Sequence, residues 1–144
     1  MEHNQSESHN RIIFVNGTFD LLHAGHLKLL RFAKNLGGFV IVAIDSDERV
    51  RTLKGPSRPI NSAQDRKDLL LALKYVNNVH IFSSDEGLSS FIKGLSVMWE
   101  VIMVKGSDYR GKYSIGQEFC KEVIYVERTA HSSTKSIEDI SSRG

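Results

Sequence analysis

The sequence predicts an α/β fold: a Rossmann-like, doubly wound parallel sheet with helices on both faces, built as a single domain. Its length of 144 residues and hydrophobic fraction of 40% suit one domain with a sizeable core. Uninterrupted apolar runs alternate along the chain with segments of helical spacing. Such runs are typical of parallel strands covered on both faces, and their alternation with helices implies right-handed crossovers. Ligands of such sheets bind outside the carboxyl ends of the strands, so we expect the loops at Gly17, Lys105 and Arg128 to lie at that edge.

The predicted elements follow one another in a regular order. The first helix, 24–36, repeats leucine and alanine at helical spacing and stops at two glycines. Residues 50–60 contain glycine and both prolines of the chain, which predicts a loop. The helix predicted at 63–75 follows a capping residue, either Asn61 or Ser62. The remaining predicted elements are strands at 11–16, 39–44, 79–82, 101–104 and 122–126 and helices at 87–95 and 134–140.

The ends and the composition of the chain exclude several classes of protein. Residues 1–10 are polar and lack an apolar signal core, so we expect a disordered arm before a domain at 11–144. No apolar stretch reaches the roughly 18 residues of a membrane span. The single cysteine, Cys120, fits a reducing compartment and is expected to be a half-buried core thiol. A net charge of +2 without a basic stripe argues against nucleic-acid binding, and we expect a cytoplasmic protein.

Residues 17–26, Gly-Thr-Phe-Asp-Leu-Leu-His-Ala-Gly-His, follow the apolar run 12–15 and carry the strongest functional signal. A glycine turn lets backbone N–H groups approach an anion, and the start of the next helix adds its positive dipole end. His23 and His26 are three residues apart, so they share a helical face and can reach the same phosphate. The alternative is a pair of ordinary surface histidines that contact water.

This segment contains neither a dinucleotide-binding glycine pattern nor a P-loop. It resembles instead the signature of the nucleotidyltransferase superfamily related to cytidylyltransferases. Residues 53–61 and 104–109 resemble the adenylyltransferase domain of bacterial heptose-phosphate enzymes. Residues 108–112 and 127–129 resemble glycerol-3-phosphate cytidylyltransferases, and the resemblance as a whole covers about residues 11–140.

The last loop departs from the family pattern. His131 stands where cytidylyltransferases have glycine, and Lys135 and Ser136 stand where the family often has threonine and lysine. Ser133 and Thr134 match the family's Ser-Thr pair before the last helix, where a helix start can hold a phosphate. These departures concern the geometry of this loop and the selection of the base.

The resemblance implies a set of site residues, together with Mg²⁺, a homodimer and an NTP and a small phosphorylated acceptor as partners. No side chain is assigned as a metal ligand. The implied catalytic residues are His23, His26, Lys54 and Arg128; the implied nucleotide-binding residues are Gly17, Thr18, Phe19, Gly25, Lys105, Gly106, Asp108, Tyr109, Ser133 and Thr134; and the implied substrate-binding residues are Asp20, Arg58 and Arg66.

Several of these residues also have plain structural interpretations. Lys54 can close over a triphosphate as a point charge, or it can be solvated. Arg66 lies in the first turn of its helix, where a cation is unfavourable, so it needs a partner: a phosphate, or one of the nearby carboxylates of Asp65 and Asp68. Asp108 can accept hydrogen bonds from ribose hydroxyls, act through a metal ion, or simply stabilise a turn.

We therefore expect an enzyme that moves a nucleotidyl group from an NTP to a sugar or polyol phosphate and releases pyrophosphate. ATP is the favoured donor, as in heptose-1-phosphate adenylyltransferase. CTP with glycerol 3-phosphate is the alternative pair of substrates. An alternative of another class is a nucleotide-binding module without catalytic activity.

Overall fold

The structure, a computed structural model, describes residues 10–127, and its regular elements alternate between strand and helix. The strands are β1 (Arg11–Gly17), β2 (Phe39–Asp45), β3 (Asn78–Phe82), β4 (Glu100–Gly106) and β5 (Glu122–Val126), and the helices are α1 (Ala24–Asn35), α2 (Asp47–Lys54), α3 (Ala63–Leu71) and α4 (Asp85–Met98), with 3₁₀ turns at Ser107–Tyr109 and Gln117–Phe119. None of the helices in this part of the chain is long and apolar enough to cross a membrane.

The strands form one parallel sheet in the order β3-β2-β1-β4-β5. β1 lies at the centre, where Val15 pairs with Val42 of β2 and Phe14 pairs with Met103 of β4. The order of the strands reverses at β1, and ligands of such sheets bind at this point, outside the carboxyl ends of the strands. The predicted doubly wound α/β fold is confirmed.

Hydrophobic side chains pack on both faces of the sheet. Alternate residues of β1 point to opposite faces, so Ile13 packs beneath α1 and α3 while Phe14 packs beneath α4, and both are fully buried. Leu30 of α1 belongs to the first cluster, and Ile92 of α4 belongs to the second. Cys120 is half-buried against the second cluster, as expected.

Three predicted boundaries are corrected by the structure. The loop predicted at 50–60 is wrong in its first part, because α2 continues to Lys54. Ser46 caps this helix, and its charges suit the helix dipole, with Asp47 in the first turn and Lys54 in the last. The sequence shows no apolar stripe that would indicate this helix, because Val50 is the buried residue among its eight.

The other two corrections concern helix ends. α3 ends at Leu71 rather than at 75, and the chain reaches β3 through turns. α4 extends beyond the predicted 87–95 at both ends. At its start, Ser84 provides the N-cap directly before Asp85. The helix predicted at 134–140 and the arm predicted at 1–10, except for Asn10, lie outside the described residues.

Candidate active site

His23 and His26 cap the N-terminus of α1 with their ring nitrogens. The backbone N–H of Gly25 donates to Nδ1 of His23 at 3.1 Å, and the backbone N–H of His23 donates to Nδ1 of His26 at 3.3 Å. A ring nitrogen that accepts a hydrogen bond carries no proton, so each neutral imidazole holds its proton on Nε2. Both rings therefore offer an N–H donor on the side opposite the cap.

The two imidazoles are stacked, and Phe19 supports them from below. The ring centroids of His23 and His26 lie 3.8 Å apart, and the ring of Phe19 lies 4.8 Å from that of His26. Phe19 is buried and has a φ of 52°, a left-handed conformation that is rare for a bulky residue and that collects at functional loops. A Cβ on Gly17 would lie 3.0 Å from Cε2 of Phe19, so the ring occupies the space that a side chain would need.

Asp20 joins the β1–α1 loop to the segment before α3. Its carboxylate accepts hydrogen bonds from the backbone N–H groups of Ile60 and Asn61, both at 2.8 Å, and Nε of Arg58 lies 3.5 Å away. Burial alone would raise the pKa of Asp20, but the N–H groups of Asn61 and Ile60 and the charges of Arg58 and Arg66 outweigh it and lower the pKa. Asp20 and Arg58 thus form an ion pair with each other; that they bind substrate stays a prediction.

Arg66 is buried with a relative exposure of 0%. Its guanidinium donates to the carbonyl oxygens of Asn61 at 3.0 Å, Thr18 at 3.0 Å and Asp45 at 2.7 Å, and to the carboxylate of Asp47 at 2.8 Å. We expected its partner to be a phosphate, Asp65 or Asp68. The structure corrects this: Asp47 and the three carbonyls compensate the charge, and a fully buried side chain has no surface on which to receive a substrate in this conformation.

Lys105, at the end of β4, lies beside the end of β1. Its Nζ donates to Oδ1 of Asn16 at 3.1 Å and lies 4.6 Å from the ring centroid of Tyr109. Burial lowers the pKa of Lys105, and the carboxylates of Asp45 and Asp108 partly oppose that shift. A Cβ on Gly106 would lie 2.8 Å from Oδ1 of Asp108, so a side chain here would displace the Asp108 carboxylate.

The predicted residues of the first loop and of the loop after β4 thus meet at one edge, beyond the carboxyl ends of β1 and β4. Lys54, the last residue of α2, is exposed. Gly25 takes part through its N–H to His23, and Thr18 through its carbonyl to Arg66. Arg128, Ser133 and Thr134 lie outside the described residues, so their expected approach to this edge stays a prediction.

Three polar residues of this edge were missed by the sequence analysis. Asn16 is the penultimate residue of β1, Asp45 is the last residue of β2, and Asp47 begins α2. A polar side chain at the carboxyl end of an apolar strand is the signal that could have found the first two. Asp47 is recognisable only through Arg66, which lies 19 residues further along the chain.

Residues 10–127 hold no group of three or more histidine, cysteine or acidic side chains that could bind a metal ion. The carboxylates near the histidines have protein partners: Asp20 has backbone N–H groups, Asp45 has Arg49, and Asp47 has Arg66. The described side chains therefore do not fit a site that holds Mg²⁺ by protein ligands alone. Mg²⁺ commonly binds instead through substrate phosphates and water with one or two carboxylates.

Comparisons with known proteins find matches in sequence and in fold. The model of the cytidylyltransferase-like family matches residues 14–143. The chain is 43% identical over 135 residues to the bifunctional protein HldE of Sulfurimonas denitrificans and 43% identical over 137 residues to the bifunctional protein HldE of Helicobacter pylori strain G27. The matches cover 93% and 95% of this chain but 28% of each relative, so the chain spans little more than a quarter of their length.

A solved structure extends the comparison to the fold. The lipopolysaccharide core biosynthesis protein from Thermoplasma volcanium GSS1 has a TM-score of 0.65 and 22% identity, and the match covers 82% of this chain and 98% of that one. At this level of identity the similarity concerns the fold alone. The α/β architecture therefore occurs in a protein whose sequence is distant.

Proposed function

Because this chain belongs to the cytidylyltransferase-like family, we propose that it transfers a nucleotidyl group from an NTP to a small phosphorylated acceptor and releases pyrophosphate. One observation carries the proposal: the paired imidazoles at the start of α1 both accept a backbone N–H at Nδ1, which leaves Nε2 as the nitrogen that carries the proton of the neutral ring. Two adjacent N–H donors at a helix N-terminus beyond the central strand suit an anion that gains charge during a reaction.

The proposed reaction is an in-line displacement. An oxygen of the acceptor phosphate attacks the α-phosphorus of the NTP and forms a new P–O bond, while the bond to the oxygen that bridges the α- and β-phosphates breaks. Pyrophosphate leaves with that electron pair. The acceptor phosphate is already an anion at neutral pH, so the protein needs no strong general base, and catalysis consists of positioning and stabilisation of charge.

The histidines act on the oxygens where charge develops. His23 and His26 donate from Nε2 to the α-phosphate and to the bridging oxygen. The loss of one such donor typically costs about 3 kcal/mol, or roughly 100- to 1000-fold in rate. Lys54 and Arg128 are proposed to neutralise the β- and γ-phosphates, and Ser133 and Thr134 to hold the γ-phosphate.

The strand ends supply the proposed nucleotide contacts. Lys105 is buried beside Asn16 and Tyr109 at the edge where the strand order reverses, which suits a fixed positive charge beneath the nucleotide. Asp108 and Tyr109 follow it in a 3₁₀ turn and are proposed to contact the ribose and the base. Gly17 and Gly106 belong to these loops, and a Cβ on them would meet the ring of Phe19 and the carboxylate of Asp108.

Mg²⁺ is proposed to accompany the nucleotide, where it would shield the charge of the leaving pyrophosphate. Since the described side chains form no cage for it, we expect the ion to arrive with the triphosphate. Turnover should cease in excess EDTA and return when Mg²⁺ is added in excess over the chelator. Full turnover in the chelator would contradict this part of the proposal.

ATP and a sugar 1-phosphate are the substrates that we favour. Residues 53–61 resemble the adenylyltransferase domain of heptose-phosphate enzymes, and HldE proteins of several bacteria are 41–44% identical to this chain. CTP and glycerol 3-phosphate are the second candidates, because residues 108–112 and 127–129 resemble glycerol-3-phosphate cytidylyltransferases.

Pyrophosphate release measured with each of the four common NTPs tests the proposal. The acceptor panel contains heptose 1-phosphates, other sugar 1-phosphates and glycerol 3-phosphate, and His26→Ala is the matched inactive variant. Release with ATP and a sugar 1-phosphate supports the favoured pair, and release with CTP and glycerol 3-phosphate supports the second. Binding of an NTP without release across the panel would indicate a non-catalytic nucleotide-binding module instead.

We further propose that the protein is a cytoplasmic homodimer. Light scattering on the purified chain tests the oligomeric state.

A further inference from the structure

Three segments of the chain meet around Arg66, and each contributes an acceptor. Thr18 belongs to the loop that leads to the histidines, Asp45 and Asp47 mark the passage from β2 to α2, and Asn61 ends the segment that leads to α3. A guanidinium is planar and holds its donors in a rigid fork. Bonds from one buried fork to all three segments therefore fix their relative positions.

Asp20 makes a second connection between two of these segments. Its carboxylate accepts hydrogen bonds from two backbone N–H groups. Its backbone carbonyl accepts a third, from the side-chain amide of Asn61 at 2.7 Å. The side chain of Asp20 is 5% exposed, so these charge-assisted bonds are little screened by water.

Several residues between these anchors are loosely packed, although Arg49 and Val50 hold α2 to the fold and Arg58 pairs with Asp20. Leu53 is 63% exposed and Ile60 is 60% exposed, and a Cβ on Gly55 would meet no atom within 4 Å. Lys54 lies in this stretch, 7 residues after Asp47 and 6 before Ile60. Lys54 lies one turn beyond the buried Val50, so its place depends on α2 on one side and on the anchored end at Ile60 and Asn61 on the other.

We propose that Asp20 and Arg66 are positioning residues. They hold residues 48–59, which include Lys54, against residues 18–23, the loop that leads to the histidines. This inference rests on the proposed nucleotidyl transfer, in which Lys54 and the histidines act on the same triphosphate. The two residues do not touch the nucleotide; they set the distance between the groups that do.

The test uses Asp20→Asn in a double-mutant cycle with Lys54→Ala. An amide offers one oxygen where the carboxylate offers two, so one of the N–H groups of Ile60 and Asn61 loses its acceptor. We expect kcat/KM for the NTP to fall about tenfold or more in Asp20→Asn. We also expect Lys54→Ala to cost several-fold less in the Asp20→Asn background than in the wild type, because Lys54 is already displaced there.

A purely structural role gives a different result. If Asp20→Asn only lowered the folded fraction, Lys54→Ala would cost the same factor in both backgrounds, and this additivity would overturn the proposal. Asp68→Asn is the matched control, because its carboxylate is exposed on α3 two residues from Arg66. It should leave kcat/KM unchanged.

Trypsin cleavage of the Lys54–Gly55 bond provides a readout that needs no turnover. We expect Asp20→Asn to raise the cleavage rate about tenfold at a temperature where circular dichroism reports a folded protein, and Asp68→Asn to leave it unchanged. If Asp20→Asn does not fold, Asn61→Ala serves in its place, since it removes the amide bond to Asp20 without adding a polar group. An unchanged rate refutes the positioning role; an absence of pyrophosphate release together with a raised rate refutes only the transfer reaction.

Discussion

His23 caps α1 and is proposed to donate to a phosphate, and these two roles fall on different nitrogens of its ring. Nδ1 accepts the hydrogen bond that caps α1, and Nε2 carries the proton that is proposed to reach the phosphate. A sequence pattern cannot separate these tasks, because capping and phosphate binding favour the same position at a helix start. Two substitutions can separate them.

His23→Ala removes both the cap and the donor, whereas His23→Asn keeps an oxygen that can accept from Gly25. We expect His23→Ala to lower the free energy of unfolding by about 1 kcal/mol and His23→Asn to change it by less than about 0.5 kcal/mol. Both should lose roughly 100- to 1000-fold in kcat. Urea unfolding and pyrophosphate release measure the two effects, and normal turnover in His23→Asn would reduce the residue to a cap.

Lys105 is a buried cation, and its burial predicts a conflict between stability and binding. Because its pKa in the folded protein lies below the unfolded value, removal of the proton favours the folded state, and its contribution to stability increases as pH rises through the folded pKa. Lys105→Met removes the buried charge. We expect its melting temperature at neutral pH to equal or exceed that of the wild type.

Nucleotide binding by the same variant should weaken, with KM for the NTP raised about tenfold or more, because a charge-assisted contact is lost. The control is Lys74→Met, an exposed lysine that follows α3, which should change neither quantity. A large loss of melting temperature in Lys105→Met, with an unchanged KM, would make the lysine a structural residue rather than a nucleotide ligand.

At the scale of elements, the N-terminal caps were the more reliable boundary signal. Ser62 caps α3 at the predicted position, and Ser46 and Ser84 cap α2 and α4 although these starts were not predicted. A cap is a local hydrogen bond between a side chain and the backbone a few residues on, so its signal lies within the sequence. Helix ends depend more on packing, and α3 ends at Leu71 although apolar residues continue beyond it.

The end of α2 offers a prediction about backbone conformation alone. Gly55 has a φ of 105° and open space around it, so Gly55→Ala adds strain without a steric clash. We expect it to lower the free energy of unfolding by about 1 kcal/mol. Gly94→Ala is the matched control, because it also meets open space but lies within α4, and it should stabilise the protein by about 0.5–1 kcal/mol. Equal effects of the two substitutions in urea unfolding would contradict this explanation.

At the scale of the whole molecule, the order of the strands assembles the site. β1 lies between β2 and β4, so the loop with the histidines and the loop with Lys105 emerge side by side although 82 residues separate His23 from Lys105. The sequence predicted that these loops share an edge, because parallel strands place their carboxyl ends together. It did not show that Lys105 donates a hydrogen bond to Asn16, because that contact depends on β1 and β4 being neighbours in the sheet.

Asp20 makes the stability of the whole molecule depend on pH in the acidic range. Its pKa is lowered in the folded state, so the unfolded chain binds its proton first, and the stabilisation is present above an unfolded pKa of about 3.9 and lost as pH falls through the folded value. The difference in free energy of unfolding between wild type and Asp20→Asn should therefore be full at pH 7 and shrink below about pH 4. A difference that stays constant down to about pH 2.5 in urea titrations would show that the carboxylate charge contributes nothing.

The sequence by itself determined the strands, the starts of α1 and α3 and the loop of histidines, because periodicity, caps and glycine turns are properties of neighbouring residues. It also indicated the family, through motifs that keep their spacing. Only the tertiary structure showed which groups Arg66 and Asp20 bind: Asp20 binds backbone N–H groups, and Arg66 binds Asp47 and three backbone carbonyls, where the sequence had left a phosphate, Asp65 or Asp68 as candidates. The reason is physical: a buried charge must be satisfied by whichever acceptors the fold brings within 3 Å, and these come from segments up to 48 residues away.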